Sequence, residues 1–220
     1  LNGAARGGVF HRLASAYGER RYTFLFYLLL LTFVVNPLMA VIRPRGHALD
    51  MFLWLNLVAA AVGIRTRRGW VLAVLGIAAV LGLEMSTDRP IGALSYALWA
   101  LLALIAAVTA IRFTIRAREV GAEQMYAALS AYLLIGLFFG AVHWSVEDTW
   151  PGSYMASTGT PLTPSTAVYF SFVTLATVGY GDVVPAREVS RGVAMFEAVV
   201  GQLYLAVLIA RLVSVYVGRR

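Results

Sequence analysis

Thr177-Val178-Gly179-Tyr180-Gly181-Asp182 lies between a short apolar run, 165–176, and a long one, 191–217. A strand of ordinary residues turns successive side chains and carbonyls to alternate sides. Glycine enters left-handed backbone regions at little steric cost, so Gly179 and Gly181 allow this stretch to leave that alternation and aim several carbonyls at one axis. Thr177 adds a hydroxyl oxygen at one end and Asp182 a carboxylate at the other. The plainer reading of the same six residues is a β-strand closed by a Gly-Asp turn, and the flanks decide between the two.

Working outward, 165–176 is apolar but too short to cross a hydrocarbon core of ~30 Å, as a re-entrant half-helix would be. Ser165 or Thr166 can cap its start. Before it, 145–164 is polar and turn-rich, with Pro151, Gly152, Gly159, Pro161 and Pro164, and reads as a loop outside the bilayer. After the TVGYGD stretch, 183–190 climbs out through Pro185, and 191–217 is long enough to span. Toward the amino terminus, 125–144, 91–111 and 22–42 read as spanning helices, the last kinked at Asn36-Pro37. The segments 49–64 and 70–83 are apolar but shorter. Residues 112–124 are mixed and charged and read as a linker helix along one membrane face. Residues 1–21 place Val9, Phe10, Leu13, Ala14 and Tyr17 at helical spacing among arginines, as an amphipathic surface helix or a partly ordered tail would.

Composition agrees with a membrane protein: 60% of the 220 residues are hydrophobic, 13% are charged, and the mean hydropathy is +0.76. There is no cysteine, hence no disulfide framework and no thiolate metal site. The net charge of +7 is carried by arginine without any lysine. These arginines flank apolar segments, which suits membrane anchoring better than nucleic-acid binding. No metalloenzyme, nucleophile or nucleotide-binding spacing occurs, so an enzyme is not expected. Twelve arginines fall in 1–21, 65–69, 112–124 and the carboxyl end, against five on the opposite set of loops. The positive-inside rule then makes the first set cytoplasmic, with both termini inside and the TVGYGD loop opening outward in a cell (inner) membrane.

TVGYGD in this setting resembles the selectivity filter of potassium channels, and the layout is similar to the bacterial six-transmembrane-helix kind. The motif match covers about 164–217; the earlier helices match in number and orientation only. The resemblance implies an all-α membrane protein with six transmembrane helices, a re-entrant pore helix and a filter, four subunits surrounding one pore. It divides the chain into an amino-terminal segment (1–21), a four-helix sensor-like domain (22–111), a linker (112–124) and a pore domain (125–220). Potassium ions would be held by Thr177, Val178, Gly179, Tyr180 and Gly181, mostly through backbone carbonyls replacing water, with no organic cofactor. Filter support would come from Asp182, Tyr169, Phe170, Val173 and Glu197. Tyr169 and Phe170 stand where relatives often have tryptophans that form a cuff receiving Tyr180, and a Tyr169 hydroxyl can bond Asp182. Val173 stands where some relatives carry a glutamate, so that support is missing. Glu197, costly inside a spanning helix, reads as a post bonded to Ser171 or Thr174, or as a titrating group on the ion path. Gly201 aligns with the inner-helix gating hinge; close helix packing is the other reading.

The fourth segment carries no charge over 91–111, so the arginine repeat of a voltage sensor is lacking. Arg65, Arg67, Arg68, Arg112 and Arg116 form a basic belt, either plain topology or a site for anionic lipids that bias the gate. Arg211 is expected to snorkel to headgroups, and His143 to lie near the outer face beside Glu147 and Asp148. The implied function is a passive potassium-selective channel, homotetrameric, without conventional voltage gating and without a nucleic-acid partner. The alternatives are a weakly selective cation channel and a potassium transporter subunit.

Overall fold

The computed structural model describes residues 20–35, 89–117 and 121–217. Within them run α1 (20–35), α2 (Arg89–Arg116), α3 (Ala122–Thr149), β1 (Tyr154–Ala156), α4 (Pro164–Leu175), β2 (Val183–Pro185) and α5 (Glu188–Val217). The segments 49–64 and 70–83, most of 1–21, and Arg65, Arg67 and Arg68 lie outside the described residues. Among those described, Tyr96–Arg116, Ala122–Thr149 and Glu188–Arg211 are long and apolar enough to cross a membrane. α4, at 12 residues, is not.

α2 and α3 meet along alanine seams. Ala100, Ala103, Ala107 and Ala110 repeat at three- and four-residue steps on α2, facing a core that includes Ala127, Ala131 and Leu134 of α3. Small side chains let two backbones approach closely where no hydrophobic effect separates helix from lipid. α1 adds Tyr22, Leu25 and Leu29 at the same spacing. Its first turn is held by Glu123 of α3, whose carboxylate accepts the backbone N–H groups of Tyr22 and Thr23 at 3.1 and 3.3 Å and the Thr23 hydroxyl. A carboxylate at a helix amino end satisfies orphan donors and opposes the positive end of the dipole.

Three boundaries differ from the sequence reading. The linker expected over 112–124 is divided, because α2 continues to Arg116 and α3 starts at Ala122. Amphipathic residues such as Phe113 and Thr114 pack as part of α2, and Phe113 stacks on Tyr22 with ring centroids 4.8 Å apart. The outer helix α3 runs five residues past 144, to Thr149, and stops where Pro151 follows. The start of α4 is capped by Thr163 rather than by Ser165 or Thr166. Its side chain accepts from Thr166 N at 3.2 Å, with Pro164 in the first turn, where a missing N–H costs nothing.

The loop between α3 and α4 is partly ordered as a strand. β1 pairs antiparallel with β2, Tyr154 opposite Pro185 and Ala156 opposite Val183. Glu147 starts this strand by accepting Gly152 N at 2.9 Å and Tyr154 N at 3.0 Å. α4 then crosses α3 closely. A Cβ on Gly140 would lie 2.8 Å from Val168 Cα, and one on Gly136 would lie 2.4 Å from the Phe172 ring. Gly140→Ala is therefore expected to force the backbones apart and lower stability by about 1–3 kcal/mol, read as an earlier thermal transition of the detergent-solubilised protein.

Candidate functional site: a carbonyl-lined filter stretch

The site is built from the carboxyl end of α4. Thr177 N donates to Thr174 O at 2.9 Å, and Val178 N and Gly179 N both donate to Val173 O, at 2.9 and 3.3 Å. The last turn of a helix has carbonyls without intrahelical partners, and here they take the N–H groups of the stretch that follows. Among the described residues nothing donates to the carbonyls of Thr177, Val178, Gly179 or Tyr180. The N–H groups of Thr177, Val178 and Gly179 are thereby turned to α4, while the carbonyl side is left open.

The dihedrals explain how. Thr177, Gly179 and Gly181 have φ of 56°, 58° and 79°, whereas Val178 and Tyr180 do not enter the left-handed region. Alternating left- and right-handed residues bring successive carbonyls to one side, the departure from strand geometry expected of Gly179 and Gly181. Thr177 was not anticipated. A β-branched residue at positive φ is strained, and the bond to Thr174 O helps to hold it there.

Asp182 is braced from two sides. Tyr169 Oη donates to Asp182 Oδ2 at 2.8 Å, and Asp182 O accepts Ser157 N at 2.7 Å, tying the mouth to the β1 side of the loop. Phe170 points away from Tyr180 into a cluster with His143 and Tyr154, ring centroids 4.9 and 5.4 Å away. Tyr180 stays 71% exposed and makes no ring contact among the described residues. Val173 contributes its carbonyl rather than its side chain.

Behind α4 lies a fully buried polar cluster. Glu197 of α5 contacts Ser171 Oγ through Oε1 at 2.5 Å and His143 Nε2 through Oε2 at 2.7 Å. Ser171 Oγ also lies 2.7 Å from Gly136 O, and His143 Nδ1 lies 2.6 Å from Tyr154 Oη. Glu197, His143 and Ser171 are all 0% exposed. Of the two partners expected for Glu197, Ser171 is present. His143 is the partner that sequence reasoning missed: it is buried between Glu197 and Tyr154. The readable signal was Glu197 itself, since an acid in mid-membrane requires a partner. Burial raises the Tyr154 phenol above its ordinary range, so Tyr154 remains a proton donor.

Gly201 lies where α5 passes the end of α4. A Cβ there would sit 2.6 Å from Leu175 O, and α5 is continuous through it, so close packing accounts for this glycine. Tyr204 Oη donates to Ala128 O at 2.5 Å. Farther along, Arg211 corrects another expectation. Instead of reaching for headgroups, its Nη2 donates to Thr114 O, Ile115 O and Ala117 O at 3.0, 2.7 and 2.8 Å. A cation thereby closes the negative carboxyl end of α2. Arg112 and Arg116 are exposed at that same end.

Residues 127–217 match a family described as ion channel. The chain is also similar to Two pore potassium channel c of Oryza sativa subsp. japonica, 33% identical over 86 residues, a region covering 39% of this chain and 17% of that protein. The chain thus spans less than a fifth of that relative's length. No solved structure matches. The matched region, about two fifths of the chain, takes in α3, α4, the TVGYGD stretch and α5, and these residues are similar to an ion-channel domain.

Removing the Arg211 guanidinium exposes the α2 carbonyls at its contact. Arg211→Gln is expected to cost on the order of 1 kcal/mol and to accelerate amide hydrogen exchange at the end of α2 and the start of α3, measured by mass spectrometry.

Proposed function

We propose that the chain is one subunit of a homotetrameric potassium-selective channel in a cell (inner) membrane, with Thr177–Gly181 lining the ion path. The observation that carries this reading is the sorting of the backbone at the inner part of the stretch: the N–H groups of Thr177, Val178 and Gly179 are bonded to Thr174 and Val173, and among the described residues nothing donates to the carbonyls of Thr177 to Tyr180. A dehydrating potassium ion needs a cage of oxygens that one chain cannot close, and a ring of such stretches supplies it. Support for several copies comes from Val178 and Tyr180, half to largely exposed, and from the bare apolar face of α5 at Met195, Phe196, Val199 and Leu203. The similarity to a potassium channel of rice agrees with the ion.

Conventional voltage sensing is no part of this reading. α2 carries arginine only at Arg89, Arg112 and Arg116, so no charge lies in its middle to move through the field, each worth about 2.3 kcal/mol per 100 mV. Arg112 and Arg116, exposed beside the α2 end, are suited to anionic headgroups together with Arg65, Arg67 and Arg68. An inner-helix bend at Gly201 would have to lift α5 off Leu175, which couples such a gate to the base of the filter.

Reconstituted protein is expected to pass potassium and exclude sodium in proteoliposome flux measurements. Equal sodium flux supports the weakly selective alternative, and flux of neither ion removes the channel reading. Gly179→Ala forces a side chain onto a φ of 58°, at about 1–2 kcal/mol per subunit. It is expected to abolish potassium flux while the tetramer persists on size-exclusion chromatography. Open probability in planar bilayers is expected to change little with voltage.

A further inference from the structure

The contacts behind the filter can be counted in protons. Ser171 Oγ has one hydrogen and two oxygen neighbours, Gly136 O at 2.7 Å and Glu197 Oε1 at 2.5 Å. A backbone carbonyl only accepts, so the Ser171 hydrogen must lie toward Gly136. The hydrogen between Ser171 and Glu197 must then come from the carboxyl group. Glu197 Oε2 becomes the carbonyl oxygen and accepts from His143 Nε2–H at 2.7 Å. His143 Nδ1 is left as an acceptor, and the Tyr154 hydroxyl at 2.6 Å donates to it. Four hydrogens serve four contacts, all pointing from Tyr154 to Gly136, and no group carries charge.

The ionised arrangement counts worse. A carboxylate at Glu197 leaves Ser171 one hydrogen for two acceptors, so one short contact becomes a repulsion between lone pairs. An imidazolium at His143 would direct Nδ1–H at Tyr154 Oη and release the Tyr154 hydrogen without a recorded acceptor. It would also place two full charges in a site where Glu197, His143 and Ser171 are 0% exposed, and desolvating such a pair costs several kcal/mol per ion. The groups facing Glu197 supply no external charge to compensate. α4 presents Ser171, α3 presents His143 and the phenol of Tyr132, and β1 presents Tyr154. Glu147, the other carboxyl group nearby, is occupied by the N–H groups of Gly152 and Tyr154. Between Arg191 and Arg211, α5 carries no other charged residue.

We infer that Glu197 is a neutral carboxylic acid and a positioning residue for the filter, donating its proton to Ser171 and so fixing α4 to α5, α3 and the β1 strand at once. The chain joins every element that borders the filter on its rear side, and Ser171 stands two residues before Val173, whose carbonyl holds Val178 and Gly179. The acid behind the filter then adds no negative charge. The inference about conduction rests on the channel reading above; the protonation itself does not.

The test has three readouts. In infrared spectra of the purified assembly, the carbonyl stretch of a protonated carboxylic acid is expected in the parent and is lost in Glu197→Gln; a band absent from the parent, or unchanged by the substitution, overturns the inference. In flux assays, Glu197→Met keeps shape without a donor and is expected to lose potassium flux, whereas Glu197→Gln keeps one donor and one acceptor and restores it. Failure of Glu197→Gln to conduct as an intact tetramer overturns the positioning role. A chain with His11→Gln and His47→Gln leaves His143 as its lone histidine, and its nitrogen-15 spectrum is expected to show a neutral imidazole protonated at Nε2. An imidazolium there overturns the neutral chain even if the Glu197 variants do not fold. If the parent passes no potassium, the channel reading falls, and the infrared and nitrogen-15 results still decide the proton.

Discussion

The Val173 carbonyl accepts both Val178 N–H and Gly179 N–H, and the surrounding structure serves to keep that acceptor in position. Inside a bilayer every backbone polar group must find a partner within the protein or in water. The TVGYGD stretch meets this rule for the N–H groups of Thr177, Val178 and Gly179 and suspends it, among the described residues, for the carbonyls of Thr177 to Tyr180. Such an arrangement holds only if α4 stays fixed in angle and depth. Gly136 and Gly140 let α4 lie against α3, Gly201 lets α5 lie against Leu175, and Ser171 ties α4 to both. The small residues are clustered on the helix faces that approach α4.

The outer side is braced by different means. Several polar bonds act together there, from the exposed pair of Tyr169 and Asp182 to the buried bond of Ser190 on Ser153 O, with Ser157 on the Asp182 carbonyl and the three-residue ladder of β1 and β2 between them. The mouth and the rear of the filter are connected through Tyr154. It belongs to the ladder by its backbone and to the buried cluster by its hydroxyl.

Much of this was readable from residues alone. TVGYGD carried its own backbone requirement in Gly179 and Gly181, and the half-helix, its length and the two flanking helices followed from apolar runs. Tyr169 was placed against Asp182 by the resemblance to potassium channels, where it stands in the place of a tryptophan, and the bond is present. What escaped reading has physical causes. α3 extends beyond the apolar run, and Glu147 in that extension turns back to bind the next segment, bringing Tyr154 to His143. β1 and β2 are three residues each, too short for alternation to be recognised. Phe170 was assigned to a cuff by analogy with relatives, but the pairing of His143 with Tyr154 creates an interior aromatic site that it fills. The clasp of Arg211 on α2 depends on two helix ends meeting that are more than 90 residues apart in sequence.

That clasp gives the lower part of the molecule a definite mechanics. Three carbonyls and one guanidinium form a joint with no apolar substitute, because parting them would strand a cation and uncapped dipoles where little water is available. The lower ends of α2 and α5 are therefore constrained to travel together, as two rods pinned at one point. A displacement of the α2 end is carried to α5 through that pin, within a single chain.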